Sequence, residues 1–172
     1  ATSPGSVVFE NELIQLIQYA PTTAKVHKRP LVIVPPCINK FYILDLQPDN
    51  SFVGHAVAQR LTVFLVSWRN AGPEQAKLGW DDYLEQGVMQ AFQVALAISR
   101  ADRVNALGFC VGGTLLTSAL AVMAARGEDK VASLTLLTTL LDFSDTGELG
   151  LMVDEASVAK REAALGTGGL LK

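Results

Sequence analysis

The chain has 172 residues, 49% hydrophobic and 18% charged, with a formal net charge of −3; this leaves room for one globular domain with a packed core and excludes a disordered tail. Charges of both signs are scattered, so no basic stripe is offered to a nucleic-acid backbone or an anionic membrane surface. Apolar runs are broken well short of a transmembrane segment, and the opening ATSPGSVVFENE lacks the basic and apolar regions of a signal peptide, so a cytoplasmic setting is expected.

In chain order, NELIQLIQYAP (11–21) fits either helix or strand by its period and is read as the strand that opens a sheet. PLVIVPP (30–36), LTVFLVSW (61–68), RVNALGF (103–109) and KVASLTLLTT (130–139) are near-continuous apolar runs, the pattern of strands buried on both faces. Helical patterns separate them. A short helix is expected from about 50 to 59 and another from about 112 to 126, stopped by Gly127. Between them, Trp80, Tyr83, Leu84, Gly87, Val88, Ala91, Phe92 and Ala95 recur at i, i+3, i+4, with Asp81 and Asp82 in the first turn, where the helix dipole favours anions. Strands alternating with helices predict an α/β fold on a mostly parallel, doubly wound sheet. After Thr139 no strand pattern follows, which leaves the last strand as an open edge and predicts a part of a larger unit.

The chemistry concentrates in NALGFCVGGTLL (105–116), where a cysteine stands between glycines as G-x-C-x-G. In a strand-turn-helix, Gly108 and Gly112 let strand and helix approach closely around Cys110 and lift its side chain off the sheet, the nucleophile-elbow arrangement. A thiol there faces the N-terminus of a helix, whose free N–H groups favour thiolate. The Val111 N–H would meet the oxyanion of an acyl adduct, and the Ile38 N–H, in the loop PPCINK after the 30–36 strand, is the candidate second donor. The competing use of Cys110 is a small buried hydrophobe. The only other cysteine, Cys37, reads as packing; two such thiols suggest neither a metal site nor a disulfide framework. His27 and His55 both precede the nucleophile, whereas elbow enzymes of this kind place acid and then histidine after it, so neither is expected to be the base. Asp142 is a weak candidate for the acid; capping is the competing use for it and for Asp145. Trp68 and Trp80 read as core or pocket wall, and the turn-rich 68–75 loop as either a substrate border or plain surface.

PPCINKFYILDLQP (35–48), VFLVSWRNAG (63–72), GWDDYL (79–84) and GFCVGGTLL (108–116) together resemble the first half of the catalytic domain of class I polyhydroxyalkanoate synthases. The resemblance covers essentially the whole chain and implies an α/β-hydrolase fold. It also implies that Cys110 takes an (R)-3-hydroxyacyl group from coenzyme A as a thioester, with Val111 and Ile38 as oxyanion donors, and that a polyester chain grows by repeated transfer. The substrate delivers coenzyme A, so no further cofactor is implied. A homodimer at the surface of a cytoplasmic storage granule is implied as well, with residues 1–141 as the N-terminal half of the hydrolase core and 142–172 as the start of a cap. Two departures stand out. The catalytic Asp and His of the family lie in the other half of its domain, and Arg60 with Leu61 stand where the family ends its short helix on glycine. A cysteine thioesterase or hydrolase of the same fold is the alternative enzyme, and a non-catalytic fragment keeping packing or dimer contacts the alternative outside enzymes.

Overall fold

Near-continuous apolar runs set up the parallel part of the sheet. In the computed structural model, which describes residues 1–166, the main sheet has strands β1 (Gly5–Glu10), β2 (Ile14–Tyr19), β3 (Leu31–Val34), β6 (Val63–Trp68), β7 (Val104–Phe109) and β8 (Val131–Leu137), with β4 (Asp45–Gln47) and β5 (Asn50–Ser51) forming a separate two-stranded ribbon. The main sheet runs β1-β2-β6-β3-β7-β8. β3 is parallel to both β6 and β7, and β7 to β8, whereas β2 is antiparallel to both of its neighbours and so runs alone against the rest. The 11–21 segment is a strand, but it does not open the sheet. β1 lies outside it, in a stretch whose Gly, Ser and Pro masked a strand pattern, and the β1–β2 hairpin closes through Asn11, whose carboxamide oxygen accepts from the N–H groups of Leu13 and Ile14.

The two faces of each strand go to different cores. Val32, Val34, Phe64, Val66 and Ala106 pack under the helical stretch 80–99 and α4 (Val111–Ala125), while Leu31, Ile33, Val63, Leu65 and Leu107 face α1 (Phe52–Ala58). The long helix is composite. It starts as α2 (Trp80–Asp82), widens into a π segment (Tyr83–Met89) and continues as α3 (Gln90–Ser99). The extra residue in the wide turn shifts the helical phase. Leu84 through Ala95 therefore hold the expected buried stripe, but Trp80 swings out to 48% exposure and is not core. Asp82 instead reaches back to accept the Gly79 N–H.

Toward the end of the chain burial fades. Ser133, Leu134 and Thr135 of β8 are exposed, and α5 (Glu155–Leu165) has no buried residue. Among the described residues no helix is long and apolar enough to cross a membrane.

Candidate active site

All four parallel strands point the same way, so the turns after β3, β6, β7 and β8 gather at one end of the sheet, the place where open α/β sheets bind ligands. Cys110 is the hinge there. It sits between β7 and α4 at φ 54, ψ −126, a region that costs a side-chain-bearing residue roughly 1–3 kcal/mol and persists only when neighbours enforce it. Several do. The Cys110 N–H donates to the Leu137 carbonyl at 2.9 Å, and its own carbonyl accepts from Gly113 at 2.9 Å. A Cβ on Gly108 would lie 2.9 Å from the Gly113 nitrogen, and one on Gly112 would lie 2.5 Å from the Pro35 carbonyl carbon. Gly113, which the sequence did not single out, is as tightly bound, since its Cβ would meet the Thr139 methyl at 2.7 Å. The double glycine was the available signal. Thr114 adds a hydrogen bond from its hydroxyl to the Leu140 carbonyl at 2.8 Å, tying the chain after β8 to the same helix start.

The Val34–Pro35 backbone abuts Gly112, which brings the 35–39 loop beside the first turn of α4. Within it, Asn39 donates to the Pro36 carbonyl at 3.3 Å, closing a turn with Cys37 and Ile38 at its centre. Ile38 has an 80% exposed side chain. Among the described residues no acceptor takes up the N–H of Ile38 or of Val111, and α4 has no side-chain cap. Cys37 packs against the core and burial pushes its thiol up; burial, and then the neighbouring Cys37, push the Tyr83 phenol up too. Trp68 is buried and its indole N–H donates to the Pro35 carbonyl at 2.8 Å.

The remaining candidates lie elsewhere. Exposed His27 donates its backbone N–H to the Arg60 carbonyl, at the amino ends of β3 and β6 and so opposite Cys110; His55 is exposed on α1. Asp142 and Asp145 are exposed and each accepts from a backbone N–H two residues on, Ser144 and Gly147, both at 2.9 Å. That bond, with the Ser144 hydroxyl, holds Asp142 below the usual carboxylate range. The 68–75 loop closes on itself through Gly72 N–H to Gln75 Oε1 at 2.8 Å and leans on β1 through the Arg69–Glu10 ion pair at 3.2 Å. Arg60 keeps φ 66, so this helix end holds the left-handed conformation that glycine adopts freely. Arg60 N–H to Val57 O at 3.0 Å and Leu61 N–H to Ala56 O at 3.2 Å make it a Schellman motif.

Comparison with known proteins agrees with this geometry. Residues 30–159 match the family described as alpha/beta hydrolase fold, and residues 1–56 match the N-terminus of poly-beta-hydroxybutyrate polymerase (PhaC). The chain is 61% identical over 168 residues to the poly(3-hydroxyalkanoate) polymerase subunit PhaC of Cupriavidus necator, covering 98% of this chain and 28% of that protein. It is 44% identical over its full 172 residues to the poly(3-hydroxyalkanoate) polymerase of Methylorubrum extorquens, again 28% of that protein. The chain thus spans under a third of the length of these relatives. Among solved structures, the carboxylesterase EstE1 from a metagenomic library aligns with a TM-score of 0.58 at 15% identity, over 90% of this chain and 55% of the other. Epoxide hydrolase A of Mycobacterium thermoresistibile aligns at 0.56 and 14%, over 96% and 46%. These two likenesses bear on the fold alone. With a family match over residues 30–159 and a positive-φ turn between β7 and α4, the chain belongs to the alpha/beta hydrolase fold family, and within that family its resemblance is to the poly(3-hydroxyalkanoate) polymerases.

Proposed function

We propose that this chain carries the nucleophile of a class I polyhydroxyalkanoate synthase, an acyltransferase that polymerises (R)-3-hydroxyacyl groups delivered as coenzyme A thioesters. One observation carries the reading: in a chain 61% identical to a polymerase, the residue held at positive φ between strand β7 and helix α4 is a cysteine. The sulfur of Cys110 attacks the thioester carbonyl carbon, the new S–C bond forms, the bond to the coenzyme A sulfur breaks, and coenzyme A leaves as the thiol with the proton Cys110 gave up. The N–H groups of Val111 and Ile38 receive the carbonyl oxygen while it carries charge. Gly108 and Gly112 serve by letting the backbone close around the turn. In the second half-reaction the hydroxyl of another 3-hydroxyacyl group attacks the Cys110 thioester, forming the ester and freeing the thiol.

That hydroxyl needs a positioned base. His27 and His55, the chain's two histidines, precede Cys110, and the exposed, locally bonded Asp142 does not serve as the acid. Both groups belong to the other half of the family's domain, beyond the 1–141 core half and the 142–172 cap entrance. The working enzyme in this reading is a cytoplasmic homodimer at a granule surface and needs no cofactor besides the coenzyme A of its substrate.

The test is incubation of the 172-residue chain with (R)-3-hydroxybutyryl coenzyme A. Slow labelling of Cys110 without polymer is expected, with Cys110→Ala abolishing the label. Sustained coenzyme A release with polymer would overturn the assignment of the base, with His55 the first residue to revisit. Free hydroxy acid as the sole sustained product would mean a thioesterase, and a Cys110 no more reactive than Cys37 toward iodoacetamide would mean a packing cysteine.

A further inference from the structure

The 35–39 loop has an anchoring problem that its own sequence creates. Pro35 and Pro36 have no N–H, so the backbone leaving β3 cannot be held there by donors of its own. The Asn39 N–H closes onto the Pro36 carbonyl within the loop, and the Pro35 carbonyl is fixed from outside it. The Pro35 carbonyl accepts the Trp68 indole N–H in a buried hydrogen bond of 2.8 Å. The same oxygen lies 2.6 Å from where a Cβ on Gly112 would stand, so it is lodged between the indole and the first turn of α4.

The indole is fixed in turn from its far side. A Cβ on Gly87 would come within 2.5 Å of Trp68 Cη2, so the helix backbone lies directly against the ring. The Tyr83 ring lies 5.5 Å away at 32°. Tyr83 and Gly87 both belong to the π segment, four residues apart on one wide turn. That gives a function to the irregularity that turned Trp80 outward, for π segments recur where a helix must re-aim particular residues. From Gly87 through Trp68 and Pro35 to Gly112, the contacts form a continuous strut that runs from the long helix to the turn bearing Cys110.

We propose that Trp68 is a positioning residue for acyl transfer: its N–H sets the 35–39 loop, and with it the Ile38 N–H, against the start of α4. This rests on the reading of Cys110 as an acyl-accepting nucleophile. An oxyanion hole of two backbone donors on separate segments works only when their separation is fixed, and the strut fixes it.

The experiment uses the protein that carries this sequence and reads two reactions of Cys110. One is acylation by (R)-3-hydroxybutyryl coenzyme A, which builds an oxyanion; the other is alkylation by iodoacetamide, which builds none. Trp68→Phe keeps an aromatic ring and removes the donor, and acylation should fall roughly 10- to 100-fold while alkylation holds its wild-type rate. Gly87→Ala, which displaces the ring, should show the same selective loss. If Trp68→Phe folds poorly, 3-benzothienylalanine at position 68 keeps the bicyclic shape without the N–H and should reproduce the result. Unchanged acylation in a folded variant, or parallel loss of both reactions, would overturn the proposal. Absence of Cys110-dependent coenzyme A release in the wild-type protein would instead sink the functional reading beneath it.

Discussion

Helices α1 and α4 pack on opposite faces of the sheet and are held at their starts in opposite ways. α1 begins on a fully satisfied cap: Ser51 Oγ accepts the Gly54 N–H at 2.7 Å and donates to Asp45 at 2.7 Å, and Asp45, with no exposed surface, also accepts from the backbone and hydroxyl of Thr2 and Ser3. α4 begins with a strained cysteine and no side-chain cap. At their other ends both finish in Schellman motifs, with Gly127 at φ 72 closing α4 and Arg60 at φ 66 closing α1. Strain at the start of α4 is locked in by close packing around Gly108, Gly112 and Gly113, whereas strain at the end of α1 sits on an exposed arginine. The difference separates a conformation the fold enforces from one it merely tolerates.

The largest effect should come from breaking the enforcement. In Gly112→Ala the new methyl would strike the Val34 carbonyl oxygen and the Pro35 carbonyl, and backbone cannot step aside as a side chain tip can. We expect a loss of more than about 3 kcal/mol, or a shifted 35–39 loop, seen as a lower urea midpoint together with lost acylation. Gly79→Ala is the control, at φ −102 with nothing within 4 Å of its Cβ, and should cost no more than about 1 kcal/mol, the loss of a glycine N-cap. Similar midpoints for the two variants would mean that the turn yields easily.

Next is the use made of the uncapped start. If the Ile38 N–H completes the oxyanion hole, Ile38→Pro should slow Cys110 acylation by about 10²-fold, while Ile38→Val, which keeps the N–H on an 80% exposed side chain, should be mild. Equal rates for the two variants would remove Ile38 from the site.

What could be read from sequence divides along the same line. Features fixed by local pattern were legible: the parallel strands, the elbow glycines and the Gly127 stop all rest on residue types with few conformational options, whereas Arg60 stood out only against the family that the chain resembles. Features that depend on partners distant in sequence were not. β1 is a strand because β2 pairs with it, the π segment exists where Gly87 meets Trp68, and Gly113 matters because Thr139 arrives 26 residues later. Trp68, read as core or pocket wall, is buried in the core, but its donor role is invisible in sequence, since nothing in LTVFLVSW indicates that a diproline loop ends beside it.

A third test strikes the satisfied start of α1. Burial alone would raise the Asp45 carboxyl, but hydrogen bonds from Ser51, Ser3 and Thr2 outweigh it and hold the group below its ordinary value. A carboxylate depressed in the folded state adds stability that is fully present above the unfolded value of about 3.9 and is lost as pH falls through the folded value. Asp45→Asn should therefore cost about 2 kcal/mol near neutral pH. The gap between its urea midpoint and the wild type should narrow as the pH falls through the acid range. A gap independent of pH would show that shape, and not charge, holds the latch.

The smallest effect and the clearest sign lie at the two helix ends. Because Arg60 and Gly127 occupy the same position in the same motif, a swap isolates the residue from its setting. Glycine reaches positive φ freely but gives the unfolded chain more freedom, so Arg60→Gly should gain roughly 0.5–1 kcal/mol after that offset. Gly127→Ala, with no atom within 4 Å of its Cβ, should lose about 1 kcal/mol for conformational reasons alone. At this chain length each shifts Tm by roughly 2–4 °C, in opposite directions. The Leu61 side chain packs in the α1 core and the Leu61 N–H completes the motif, so both survive the Arg60 change and leave φ as the variable. A fall in Tm on Arg60→Gly would show that the arginine side chain earns back more than its backbone costs, and the end of α1 would then be a built feature like the start of α4.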